Sequence, residues 1–492
     1  MTHFKDNKLK KDVLVIGGGP AGMAALDALY EMGITDILLA ERSEKLGGLL
    51  EQCIHDGFGL IKLGKNYSGP EYAEIYSNKL KKQYDNILTQ ATVTNIKPLA
   101  GDGDYTACVN IATAGGTIEV ETKAIILATG CRERGRGAAY IPGTRPAGVY
   151  SAGTAQALIN LHNLIIGKSA VIVGSGDIGL IMVRRLTLEG VDVKCIVEID
   201  KVPGGLPRNL RQCVYDFDIP LYLDTSVTDI HGDKRVTGVT LSNGEHIECD
   251  TVILSVGLIP ENSLIDHKSL PSWQCHDDSC THESEFTEND TLRNSIFLCG
   301  NALYVHGLVD DVSNSGEQVA NDIKDYLQGS KTGSFSRYQL SRVQDTRESE
   351  RQRLSVHRQE LIEKTLSGET DDVITCILCP NSCDIKPDGS GAKCPKGAEY
   401  AASERTAPKR VLTTSVMVWS DLISVRTSKA IPREHLEEAM ARIDNLRFGP
   451  DCASSFRGEP LPPRPMIRPG DVLVKDFIDG ADLIATRGNI KL

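Results

Sequence analysis

Several things this chain lacks narrow its function before any motif is considered. Basic residues are in deficit: 54 Lys and Arg stand against 66 Asp and Glu, a net charge of −12. Generic binding to nucleic acid or to an anionic membrane surface wants a basic face, so no nucleic-acid partner is expected. No apolar run approaches the roughly 18 residues of a membrane-spanning helix, so no membrane span is expected either. Met1–Lys11 is polar and lysine-rich with no apolar core, unlike a secretory signal. Fourteen cysteines in such a context point to a reducing compartment, where clustered cysteines more often bind metal or do redox chemistry than form bridges. The expectation is a cytoplasmic protein of ordinary globular composition, long enough for about three or four domains.

What is present begins at residue 12. The apolar run Val13–Ile16 is too short for a helix and reads as a buried strand. It ends in Gly17-x-Gly19-x-x-Gly22, and a helical pattern follows from Ala21 to Leu29. In such a turn the first glycine permits the tight bend, the second lets backbone approach a pyrophosphate, and the third lets helix and strand pack closely. The free N–H groups at the helix start suit a diphosphate. A second strand, Ile37–Ala40, ends in Glu41, twenty-four residues after Gly17, where a carboxylate can accept both ribose hydroxyls.

The pattern then repeats. Ser169–Val173 reads as a strand, Gly174-x-Gly176-x-x-Gly179 as a second glycine turn, and Val191–Val197 as a strand ending in Glu198, again twenty-four residues on. Between the two units, residues 71–84 read as a helix, residues 85–121 as short strands and hairpins, and Ala124–Gly130 as a buried strand with a small-residue turn. Thr251–Val256 ends in Gly257, and Ser295–Asn301 resumes the strand pattern before a helix over Val312–Leu327. Interleaved arginines and acids over 329–371 read as a solvated helical linker. The stretch 372–492 reads as a separate β-rich domain with a proline-marked loop. The domain bounds are therefore 1–148 with 270–328, 149–269, the linker, and 372–492.

The paired glycine turns, the Ile126-Leu127-Ala128-Thr129-Gly130 turn and Cys299-Gly300-Asn301 resemble the flavoprotein pyridine-nucleotide oxidoreductases related to glutathione and thioredoxin reductases. The resemblance covers residues 12–327. Gln52-Cys53-Ile54-His55, Ile141–Pro146, Gly174–Met182 and Val305–Asp310 resemble one branch, found beside FAD-dependent glycerol-3-phosphate dehydrogenases in anaerobes. Proteins of the hydrogen cyanide synthase and opine oxidase complexes are more distant relatives of it. Residues 372–492 are similar to a small four-cysteine domain of unassigned function, here fused.

The resemblance implies an α/β fold with two Rossmann-like dinucleotide-binding domains, one for FAD and one for NAD(H), plus the C-terminal cysteine domain. FAD would be held by Gly17, Gly19, Pro20, Ala21, Gly22, Glu41, Arg42, Gly48, Leu49, Thr129, Gly130, Gly300 and Asn301. Many relatives carry aspartate where Asn301 stands. Gly174, Gly176, Asp177, Ile178, Gly179, Glu198 and Gly257 would hold the second dinucleotide. An acid at Glu198 favours the free 2′-hydroxyl of NAD over the 2′-phosphate of NADP.

Disulfide reductases of this superfamily need two close cysteines at the flavin. After Gly47-Gly48 there is only Cys53, and the second unit offers only Cys195, Cys213 and Cys249, so a dithiol reductase is not expected. Cys53, His55 and His306 are candidate catalytic residues that could tune the flavin or shuttle a proton; each could equally be a packing residue. Cys275, Cys280, His276 and His282 read as incidental residues of a surface excursion. The strong cluster is Cys376-x2-Cys379-x3-Cys383-x10-Cys394. Four thiolates at short spacing close a tetrahedral site for zinc or for an iron–sulfur cluster. Its spacing and the following Pro-Lys-Gly resemble a [4Fe–4S] segment, and a one-electron carrier is what a flavin without a dithiol needs. The expected activity is an NADH-dependent FAD oxidoreductase exchanging electrons with a partner dehydrogenase, in a homo- or hetero-oligomer. A zinc-stabilised docking domain, or a Cys53-dependent thiol or peroxide reductase, is the alternative.

Overall fold

The computed structural model describes residues 8–99, 104–265, 292, 295–329, 373–419, 421–446, 448 and 466–488. The Cys275–His282 stretch, nearly all of the 329–371 linker and most of the 451–469 loop lie outside them. The helices among the described residues, in chain order, are α1 (Pro20–Glu31), α2 (Gly69–Gln83), α3 (Ala152–His162), α4 (Asp177–Leu188), α5 (Pro207–Cys213), α6 (Val309–Leu327), α7 (Pro395–Thr406) and α8 (Leu436–Asp444).

Val13–Ile16 is buried throughout and ends a strand spanning Lys8–Ile16. A strand apolar on both faces belongs inside a parallel sheet covered by helices. Here it pairs parallel with Ile37–Ala40 on one side and with Gly116–Leu127 on the other. Ile87–Leu88 extends one edge, and Ile296–Leu298 joins the last residues of Gly116–Leu127. The first part of that long strand instead enters an antiparallel meander with Ala107–Thr113 and Thr92–Pro98. Helices α1 and α6 cross closely on one face: a Cβ on Gly316 would lie 2.2 Å from the Ala21 carbonyl oxygen.

The second unit has its own all-parallel sheet, ordered Val149–Ser151, Thr251–Leu254, Ser169–Val173, Asp192–Val197, Leu221–Tyr222. Helices α3, α4 and α5 contribute to the core on one face, and a three-stranded antiparallel sheet over residues 227–248 packs on the other. Strand Cys131–Glu133 pairs antiparallel with Leu258–Pro260, so the chain leaves and re-enters the first unit side by side.

The C-terminal part begins with a hairpin, Ile374–Thr375 against Asp384–Ile385. A four-stranded antiparallel sheet follows, ordered Thr413–Val418, Asp421–Thr427, Ala481–Ala485, Val472–Ile478. Helix α8 buries Leu436, Ala439, Met440 and Ile443, the i, i+3, i+4, i+7 stripe of an amphipathic helix. The same core includes Leu188 from α4, so this domain is packed on the second unit. Buried charges strengthen the contact. The Arg410 guanidinium grips Asp216 of the second unit (Nη2–Oδ1 2.9 Å) and Glu404 of its own domain (Nη1–Oε2 2.8 Å), and all three side chains are at most 1 % exposed. Arg426 reaches Glu71 of α2 at 3.4 Å, so the sheet touches the first unit as well. Among the described residues no helix is long and apolar enough to cross a membrane.

Candidate functional site

The first glycine turn is built as its residue types demand. Gly17 has φ +107°, and a Cβ there would lie 2.4 Å from the Ala128 carbonyl oxygen; on Gly22 it would lie 1.9 Å from that of Gly17. Strand, turn and helix therefore approach too closely for any side chain. At Gly19 a Cβ would meet nothing within 4 Å. Gly19 caps α1 without a side-chain hydrogen bond, and the first turn, opened by Pro20 and Ala21, holds no acid. Open space facing uncapped helix N–H groups is what a diphosphate requires. Gly48, with φ +54°, lies over this turn: its Cβ would stand 3.1 Å from Gly19 Cα. Leu49 and Arg42 are exposed. Glu41 is buried; Oε2 accepts the Gly18 N–H at 2.6 Å and Oε1 the Ser43 N–H at 2.7 Å. Each oxygen keeps a lone pair for a ribose hydroxyl.

The second turn copies the first. Gly174 has φ +94° and faces the Ser255 carbonyl oxygen, Gly179 packs on Gly174, and Gly176 caps α4 without a side-chain bond. Glu198 Oε2 accepts the Ser175 N–H at 2.8 Å and its hydroxyl at 2.5 Å, while Oε1 accepts the Asp200 N–H at 3.0 Å. In both turns the acid anchors the residue after the first glycine. Asp177 Oδ1 accepts the Leu206 N–H at 2.7 Å and an Asn209 Nδ2–H at 2.8 Å, bracing the loop before α5. Its neighbour Ile178 is half-buried.

Gly130 and Gly257, at φ +75° and +104°, flank the paired crossing strands, and neither has a neighbour within 4 Å of an added Cβ. The Thr129 hydroxyl donates to the Glu261 carbonyl. Gly300 approaches α1, its Cβ position 2.7 Å from Ala21 Cβ. Asn301 Oδ1 accepts the His306 N–H at 3.0 Å, and Nδ2 reaches Cys131 Sγ at 3.6 Å. His306 meets Tyr304 edge-on at 5.6 Å. The Asn301 side chain is thus engaged in holding its own loop.

Cys53 and His55 follow the 3₁₀ turn Gly48–Gln52. Burial pushes the Cys53 thiol up to about 12, and its nearest polar partner is Gln156 Oε1 at 3.8 Å. Burial, with help from Arg208 and Arg184 and against Asp56, holds His55 down to about 4. Both groups are neutral near pH 7, so they form no thiolate–imidazolium pair. Cys195, Cys213 and Cys299 are also pushed up to about 12 by burial.

The composition of α3 holds a signal that periodicity does not capture, namely Gln156 and Asn160 inside an apolar helix. Asn160 Nδ2 donates to the Gln52 carbonyl at 2.9 Å and its Oδ1 accepts from Arg185 Nε at 2.9 Å; Arg185 Nη1 reaches Thr414 Oγ1 at 2.7 Å. This buried polar chain runs from the first unit through the second to the C-terminal sheet.

The four C-terminal cysteines lie along the hairpin and at the start of α7. The Cys376 N–H donates to the Cys383 carbonyl at 2.8 Å. Cys394 caps α7, its sulfur accepting the Gly397 N–H at 3.4 Å. A Cβ on Gly397 would lie 3.7 Å from Cys394 Sγ and 3.9 Å from Cys376 Sγ. Burial raises the Cys376 pKa, against a backbone hydrogen bond from Leu378 and with smaller contributions from Cys379, Cys383 and Cys394. An all-thiol set of this kind suits zinc or iron, although among the described residues no three His, Cys, Asp or Glu side chains stand close enough to hold a metal ion together.

Comparison with known proteins agrees with this geometry. Residues 11–318 match the family described as pyridine nucleotide-disulphide oxidoreductase. The chain belongs to that family. Its members are FAD-dependent enzymes that use NAD(P)H. Residues 395–453, beginning just after Cys394, match a family described as a protein of unknown function, DUF1667. The chain is similar to one of the alkyl hydroperoxide reductase subunits of Xanthomonas campestris pv. phaseoli, 28 % identical over 52 % of this chain and 46 % of that protein. It is similar too to one of the opine oxidase subunits of Agrobacterium tumefaciens, 27 % identical over 51 % of this chain and 53 % of that one. It thus spans about half the length of these curated relatives. Among solved structures, the thioredoxin reductase of T. acidophilum aligns with a TM-score of 0.47 at 21 % identity, over 65 % of this chain and 99 % of that one.

Proposed function

We propose that the chain passes electrons between NADH and a second redox partner, with FAD in the first unit and NAD(H) in the second. The observation that carries this is the duplicated turn, in which Glu41 and Glu198 are each fixed by the N–H of the residue after the first glycine, at 2.6 and 2.8 Å. FAD, when bound, supplies hydride acceptance and release of electrons one at a time. Gly19 and the start of α1 would take its diphosphate, and Glu41 its ribose. Glu198 would accept the 2′-hydroxyl of NADH and repel a 2′-phosphate. The neutral Cys53 thiol is a poor nucleophile, which argues against a thiol or peroxide reductase, and we assign Cys53 and His55 to positioning rather than thiol chemistry. We propose that Cys376, Cys379, Cys383 and Cys394 hold a [4Fe–4S] centre serving a separate FAD-dependent dehydrogenase of the glycerol-3-phosphate type. The buried docking of the C-terminal domain favours one other reading, a structural zinc at the same thiolates.

Stopped-flow reduction of the flavin tests the nucleotide assignment. NADH should reduce it at least tenfold faster than NADPH at equal subsaturating concentration, and Glu198→Ala should narrow that ratio. Equal rates in the parent protein, or an unchanged ratio in the variant, would refute it.

A further inference from the structure

The likeness between the two nucleotide units extends past the glycine turns. Each acid is followed, six residues on, by a pair of glycines: Glu41 by Gly47-Gly48 and Glu198 by Gly204-Gly205. In each unit the first glycine of that pair is tied back to the residue after the first turn glycine. The Gly47 N–H donates to the Gly18 carbonyl at 2.8 Å, and the Gly204 N–H donates to Ser175 Oγ at 2.8 Å. The loop lies against the turn in both units. A Cβ on Gly48 would stand 3.1 Å from Gly19 Cα, and one on Gly204 would stand 3.9 Å from the Gly176 nitrogen.

The units differ at one side chain. Position 18 is tight, for a Cβ there would stand 2.5 Å from Leu46 Cδ2 and 3.1 Å from Glu41 Oε2. Position 175 carries a serine, wholly buried. A serine hydroxyl has one proton and two lone pairs. The Ser175 proton goes to Glu198 Oε2 at 2.5 Å, while a lone pair takes the Gly204 N–H. In the first unit the loop closes on a backbone carbonyl, and the acid is held separately. In the second, one hydroxyl holds both. Asp177 Oδ1 fixes the far end of the same loop through the Leu206 N–H. The two acids are left with different free acceptors. A carboxylate offers about four lone-pair sites. Glu41 accepts one N–H on each oxygen. Glu198 accepts two protons on Oε2, from the Ser175 N–H and hydroxyl, and one on Oε1 from the Asp200 N–H. Its remaining acceptor site is therefore on Oε1.

We propose that Ser175 is a specificity-determining positioning residue of the second unit: by clamping Glu198 to the Gly204-Gly205 loop, it keeps that carboxylate from turning aside when a 2′-phosphate arrives. The inference rests on the assignment of NAD(H) to this unit. A carboxylate free to rotate can carry its charge away from a phosphate, and repulsion falls with separation. Held by three donors, Glu198 keeps its place, and bonds to an ionised acceptor are the strong ones. The acid then meets a ribose through the one site left on Oε1, where Glu41 has a site on each oxygen. Ser175 acts through Glu198, its own proton being already engaged there.

The test uses the full chain loaded with FAD. NAD⁺ and NADP⁺ are titrated separately by calorimetry, and the ratio of their dissociation constants is compared across variants. Ser175→Ala should narrow the parent's preference for NAD⁺ at least threefold. Ser175→Gly, which copies the residue type at position 18, should do the same, and either variant suffices once circular dichroism and flavin content show that it is folded. On a Glu198→Ala background neither substitution should move the ratio further, because the group being positioned is gone. A loss of fold or of loop packing alone would lower both affinities together and would persist on that background. An unchanged ratio in the serine variants, where Glu198→Ala narrows it, overturns this proposal and leaves the nucleotide assignment standing. So does equal narrowing by Ser175→Ala with and without Glu198. An unchanged ratio in Glu198→Ala itself overturns the nucleotide assignment and this proposal with it.

Discussion

Asp216→Ala should loosen the C-terminal domain while leaving both dinucleotide units intact. The Asp216 side chain is fully buried and sits against Arg410, which is 1 % exposed, with Arg433 at 3.2 Å and Arg211 at 3.9 Å. Three guanidiniums share two carboxylates, Asp216 and Glu404; the substitution leaves three facing one. Arg433 and Arg211 are partly exposed and can turn to water, but Arg410 cannot. Arg410 keeps Glu404, bonded at Nη1 (2.8 Å) and Nη2 (2.6 Å), so what is lost is its charged hydrogen bonding to Asp216, about 1.5–3 kcal/mol. Since about 1.4 kcal/mol is a factor of ten, docking should weaken by about one to two orders of magnitude. Hydrogen exchange read by mass spectrometry is the assay. Amides of Tyr215–Phe217, Lys409–Arg410 and Thr413–Val418 should exchange at least tenfold faster, while Val13–Ile16 and Ile125–Leu127 keep their protection. Unchanged exchange at the interface in the single variant would refute the reasoning.

Gly19→Val should fold with native circular dichroism yet purify with less than a tenth of the parent's flavin, because it fills the space opposite the helix start; full flavin content would contradict the FAD assignment. Cys53→Ser should keep NADH oxidation within about twofold, and Cys53 should resist alkylation by iodoacetamide at pH 8, where a thiol near pKa 12 is almost wholly protonated; a tenfold loss of rate would restore a chemical role. Cys376→Ser in protein purified without oxygen should lose iron and acid-labile sulfide together, whereas stoichiometric zinc in the parent would select the structural reading.

Local features were legible in the sequence because their physics is local. Gly17, Gly22, Gly174 and Gly179 are demanded by close backbone contacts within a few residues, and Glu41 and Glu198 sit at strand ends whose spacing the strand–helix–strand unit dictates. What the sequence did not show of Asp177 is its second engagement: besides opening the helix of a glycine motif, it braces a loop some thirty residues on. The docking network left no pattern to read. Asp216 and Arg410 are 194 residues apart, and each looks like an ordinary surface charge until the fold brings them together. Nor could sequence decide that Cys53 and His55 would be neutral, because that follows from the burial supplied by α2, α3 and the arginines of α4 and α5.

Among the described residues, strands Cys131–Glu133 and Leu258–Pro260 carry the chain between the two units, the connectivity of a hinge. The C-terminal sheet gives this chain a third support, gripping α4 through Thr414 and α2 through Arg426. A hinge braced at a third point off its axis loses its rotation. Any swing of one nucleotide unit against the other must break the Arg185–Thr414 or the Arg426–Glu71 contact. Docking of the C-terminal domain therefore opposes rotation of one unit against the other.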